Sequence, residues 1–70
     1  MRWIVSRYKA DPGMVAVRYG DIMVKQYTGR GLAELHAELH TERGCVFMSP
    51  TWCASHKCGT DNGVCKELLK

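Results

Sequence analysis

All four cysteines of this 70-residue chain, Cys45, Cys53, Cys58 and Cys65, fall after residue 44. The first 44 residues must therefore fold by packing apolar side chains. The rest carries thiols that can be free, joined in disulfides or bound to metal. Seventy residues make one domain, 1–70, and a chain this short buries only about 60% of the surface that its unfolded form exposes. Extra cross-links or a partner therefore matter to its stability. The opening, Met1-Arg2-Trp3-Ile4-Val5-Ser6-Arg7-Tyr8-Lys9, places charges where a secretion signal needs a continuous apolar run of about 7–15 residues. The expectation is a cytoplasmic protein, in which thiols stay reduced and free or metal-bound cysteines are favoured over disulfides.

Residues 2–9 mix apolar and polar positions in near alternation and include Trp, Ile, Val and Tyr, which suit a strand. Asp11-Pro12-Gly13 is a turn signal, because proline presets φ and glycine accepts positive φ. Met14 to Tyr19 reads as a second strand, Gly20-Asp21 as a tight turn and Ile22 to Thr28 as a third strand. Leu32, Leu35 and Leu39 then recur at the spacing of one helical face, which predicts a helix over 32–43 with its leucines against the sheet, stopped by Gly44. Cys45 to Met48 is short and apolar enough to return as a fourth strand. Ser49-Pro50 has the form of a helix start, and Thr60-Asp61-Asn62-Gly63 that of a turn before a last helical stretch. The expected fold is α+β: an antiparallel sheet of three to four strands covered by one amphipathic helix, then two short C-terminal helical segments.

Cys53-x4-Cys58 and Cys53-x2-His56 approach zinc-ligand spacing, and Cys53, His56, Cys58 and Cys65 would be the ligands if zinc were held. The paired C-x2-C knuckles that make such a signal specific are missing. The expectation is therefore no tightly bound zinc and no cofactor, with the thiols acting as small hydrophobes. His36-Ala37-Glu38-Leu39-His40 puts two histidines four apart, but Ala37 stands where a zinc protease has its glutamate. His36 is expected to border the leucine stripe and His40 to be partly solvated. Gly29-Arg30-Gly31 lacks the length and the Lys-Ser/Thr ending of a P-loop and reads as a strand-to-helix turn. No nucleophile stands in a recognisable catalytic context, so an enzyme is not expected.

Tyr8, Tyr19 and Tyr27 fall on separate strands near Arg7, Arg18 and Lys25, and Tyr and Arg dominate binding hot spots. These six are the candidate protein-binding residues. The net charge of +3 comes from lysines and arginines spread along the chain, short of the clustered basic stripe of a nucleic-acid reader. Two functions stay open: a stoichiometric protein-binding inhibitor, or a small nucleic-acid-binding domain with a zinc site in the C-terminal Cys/His residues. No apolar stretch is long enough to cross a membrane.

The Met1-Arg2-Trp3-Ile4-Val5 strand start, the Asp11-Pro12-Gly13 and Gly20-Asp21 turns and the Leu32–Leu39 helix describe a stand-alone sheet-plus-helix protein. In size and architecture it is similar to the small phage-encoded anti-CRISPR inhibitors. That resemblance implies a protein partner in the host bacterial cytoplasm, a subunit of a CRISPR effector complex, whose DNA recognition or nuclease recruitment is blocked. Many such proteins are acidic DNA mimics, and the positive net charge departs from that pattern.

Overall fold

A computed structural model describes residues 2–70. Strands β1 (Trp3–Arg7), β2 (Val15–Tyr19) and β3 (Ile22–Tyr27) form an antiparallel sheet in the order β1-β2-β3. The β1–β2 connection turns where the sequence predicts it: Gly13 N–H donates to Asp11 Oδ1 at 3.1 Å, and Met14 N–H to the Asp11 carbonyl at 3.0 Å. Trp3 pairs with Tyr19, Val5 with Val17 and Arg7 with Val15, so Trp3, Val5, Val15, Val17 and Tyr19 share one face. Residues opposite one another across a ladder lie on the same side.

Helix α1 (Arg30–Glu42) covers that face, but with a different stripe from the one expected. Ala33, His36, Ala37 and His40 are buried, whereas Leu32 and Leu35 are 63% and 62% exposed and Leu39 is partly so. Both stripes satisfy helical periodicity, so spacing could not choose between them. Volume does. The sheet presents Trp3 and Tyr19, whose rings lie 5.1 Å apart, and two alanines let the helix approach these large groups closely. His40 fills the space beside them, 4.6 Å from the Trp3 ring and fully buried, not solvated.

The helix ends in a Schellman turn. Gly44 adopts φ +68°, its N–H donates to the Thr41 carbonyl, and Cys45 N–H donates to the His40 carbonyl at 2.9 Å. The chain then builds a second antiparallel sheet from β4 (Phe47–Ser49), β5 (Trp52–Cys53), β6 (Cys58–Asp61) and β7 (Val64–Cys65), in that order. The fourth strand therefore forms but does not extend the first sheet.

Of the two expected C-terminal helical segments, the first does not form and the second is reduced to one 3-10 turn. Ser49 does engage the backbone two residues on, Thr51 N–H to Ser49 Oγ at 3.3 Å, yet the turn leads into β5. Thr51, Trp52, Cys53, Ser55 and His56 are mediocre helix formers, and a helix would point Cys53 and Cys58 to different sides. The last stretch, Lys66–Leu69, is a single 3-10 turn. Between β6 and β7, Asn62 and Gly63 both take positive φ, 52° and 80°, the pattern of a tight two-residue hairpin turn.

Candidate metal centre

Cys45, Cys53, His56 and Cys65 come from four separate places in the second half of the chain. Cys45 is set by the Schellman turn at the end of α1, and its carbonyl accepts the Trp3 Nε1–H at 3.0 Å. Cys53 closes β5. His56 stands in the turn between β5 and β6, where Ser55 Oγ accepts the Val46 N–H at 2.9 Å and Lys57 takes φ +53°. Cys65 ends β7, and its N–H donates to His40 Nε2 at 3.2 Å. His40 must therefore carry its proton on Nδ1, which donates to the His36 carbonyl at 2.8 Å. This neutral imidazole uses both nitrogens and couples the helix to the strand that carries Cys65.

The three sulfurs converge on one nitrogen. Sγ of Cys53 lies 3.4 Å from His56 Nδ1, and those of Cys45 and Cys65 each 3.6 Å away. One imidazole nitrogen carries at most one proton, so hydrogen bonding cannot satisfy three sulfurs at once. Tetrahedral zinc, with Zn–S of about 2.3 Å and Zn–N of about 2.0 Å, requires S···N edges of about 3.5 Å and S···S edges of about 3.8 Å. The observed edges match the former, and all four donor atoms lie within 4.8 Å of one another.

Burial and mutual proximity oppose charging all three thiols together. Burial opposes the Cys53 thiolate, but hydrogen bonds from Ser55 and His56 outweigh it and hold the thiol down to about 6. Burial, then the neighbouring Cys58 and Cys53 sulfurs, push Cys65 up to about 11. Burial and the Cys65 and Cys53 sulfurs also drive Cys45 upward. Three thiolates side by side need a divalent cation, and the donors suit zinc over magnesium or calcium.

The sequence predicts no tightly bound zinc, and the converging set differs by one residue from the ligands it names in case zinc is held. Cys45 supplies the corner given there to Cys58, whose Sγ lies outside the four, 3.4 Å from that of Cys65. Cys45 was missed because no short spacing links it to Cys53; only the helix terminus brings it in.

The six residues read as a binding face are divided. Tyr19 is buried against Trp3. Lys25 and Tyr27 lie at the helix side of the sheet, with Lys25 Nζ 5.2 Å from the Tyr27 ring centroid and Tyr27 Oη 2.8 Å from His36 Nδ1. Arg18 and Tyr8 lie toward the opposite face, held by Ser6 Oγ at 3.3 Å and Gln26 Nε2 at 2.7 Å. Arg7 is exposed at the end of β1. Among the described residues, no helix is long and apolar enough to cross a membrane. No protein-family model, curated protein or solved structure matches the chain.

Proposed function

We propose that the chain is a small zinc-stabilised module that acts by stoichiometric binding to another protein and catalyses no reaction. The observation that carries this reading is the convergence of three sulfurs on His56 Nδ1. Four protein ligands leave no open coordination position, and closed centres of this kind organise a chain, whereas catalytic zinc keeps a place for water or substrate. Function then falls to the surface. Leu32, Leu35 and Leu39 stand exposed in a row on α1 beside Glu34, Glu38 and Glu42, a helix face suited to an apolar groove with a basic rim.

In the form implied by the resemblance to anti-CRISPR proteins, the partner is a CRISPR effector subunit in the host cytoplasm. The second reading is a nucleic-acid-binding domain. The metal centre favours it, because zinc modules often serve that role, while the dispersed lysines and arginines do not.

Elemental analysis of protein purified without chelator tests the centre. One zinc per chain is expected, lost in Cys45→Ser and Cys65→Ser. A metal-free chain with an intact second sheet overturns the reading. Binding assays against purified CRISPR effector complexes, beside labelled DNA and RNA, test the partner class. Nucleic-acid binding with a steep salt dependence and no effector binding selects the second reading.

A further inference from the structure

The centre holds five candidate donors for four positions, and the surplus one is Cys58. Its Sγ lies 3.4 Å from that of Cys65, in contact but outside the converging four. Cys45, Cys53 and Cys65 are buried, whereas Cys58 is partly exposed. The two cysteines occupy neighbouring strands of one hairpin: β6 pairs with β7 through Thr60 and Cys65, two residues from Cys58. The Asn62-Gly63 turn holds that pairing. A solvent-reachable thiol is thus kept against a buried sulfur of the metal set.

We infer that Cys58 is an oxidation site that controls the metal: a peroxide-class oxidant links Cys58 to Cys65 and thereby discharges the zinc. This rests on the zinc reading above. In the first step the Cys58 sulfur attacks one peroxide oxygen, the O–O bond breaks, water leaves and Cys58 becomes a sulfenic acid. In the second step Cys65 Sγ attacks the Cys58 sulfur, and the S–S bond forms as the S–O bond breaks. The departing hydroxide takes a proton to become water. Two sulfurs have together lost two electrons, and the peroxide has gained them. Cys65 no longer offers a thiolate, so three of the four ligands remain and the ion is released. A dithiol reductant restores Cys65 and, with zinc present, the centre.

The experiment is peroxide titration of the zinc-loaded chain, with a chromophoric zinc indicator and mass spectrometry of proteolytic peptides. The wild-type chain should release its zinc as it loses the mass of two hydrogens, with the bridge mapping to Cys58–Cys65. Dithiothreitol with zinc should reverse both changes. Cys58→Ser should bind zinc in the same stoichiometry and release it at least about tenfold more slowly, because oxidation must then begin at a metal-bound sulfur. Cys58→Ala is measured beside it, so that a folding defect in one variant leaves the other to decide. Release from both variants at the wild-type rate, or a bridge mapping to Cys53, overturns the inference. Loss of zinc from both unoxidised variants also overturns it, by making Cys58 a ligand. A wild-type chain that binds no zinc overturns this inference and the zinc reading together, whereas the other outcomes leave the zinc reading standing.

Discussion

His36 shows how far one side chain can be taken from its ordinary chemistry here. Its Nδ1 meets Tyr27 Oη, its ring stacks on His40 at 4.3 Å, and its buried Nε2 has no hydrogen-bond partner among the described residues. Burial, reinforced by His40 and Lys25, lowers its pKa from 6.5 to about 4. The folded chain therefore resists a proton that the unfolded chain accepts. Stability from this residue is complete above pH 6.5, declines as pH falls toward 4, and changes little further below that. The full loss is on the order of 3 kcal/mol. Chemical denaturation across that window should show the decline in wild type and a flatter profile in His36→Phe, which keeps an aromatic ring but cannot titrate. Equal slopes would place the titration elsewhere.

At the scale of the element, α1 carries two stripes with opposite jobs. Leu35 is largely exposed, so Leu35→Ala should shift stability by no more than about 0.5 kcal/mol, far below the 2–5 kcal/mol of a buried leucine. Ala33 is fully buried against the sheet, and Ala33→Leu should destabilise by about 1–3 kcal/mol by overpacking. Thermal unfolding of the two variants checks the assignment of faces, and a reversed order would mean the helix sits rotated. Leu35→Asp should abolish partner binding while the fold persists, as read by titration calorimetry beside circular dichroism.

The whole molecule consists of one sheet that packs conventionally and a second whose strands are two to four residues long. Strands so short have little stability of their own. Their interior is Phe47 with the buried cysteine sulfurs, continuous with Trp3 and the helix. Removing zinc should therefore act regionally. If the proposed zinc is bound, hydrogen exchange after chelation should accelerate in β4–β7 and leave β1–β3 protected, since the binding energy of a structural metal is folding energy. Uniform acceleration would show that the centre supports both halves. Gly63 joins the halves: it takes φ +80°, and a Cβ there would meet the Val24 carbonyl oxygen at 3.0 Å. Gly63→Ala should destabilise by about 1–3 kcal/mol, checked by thermal unfolding, because it combines backbone strain with a close approach between the sheets.

The sequence by itself determined the meander, the Asp11 turn, the presence of one helix and its end at Gly44, because local propensity and turn chemistry decide these. It also placed His56 and two of the three converging cysteines in one candidate set. Only tertiary structure decided which stripe of α1 faces inward. Leucine is the more hydrophobic choice, but Trp3 and Tyr19 already occupy the volume, so alanine and histidine take the interior. Tertiary structure likewise turned the region after Ser49 into short strands and chose Cys45 over Cys58 for the fourth corner. A metal polyhedron depends on distances through space, and Cys45 reaches His56 only after a helix and a Schellman turn have set the path of the chain.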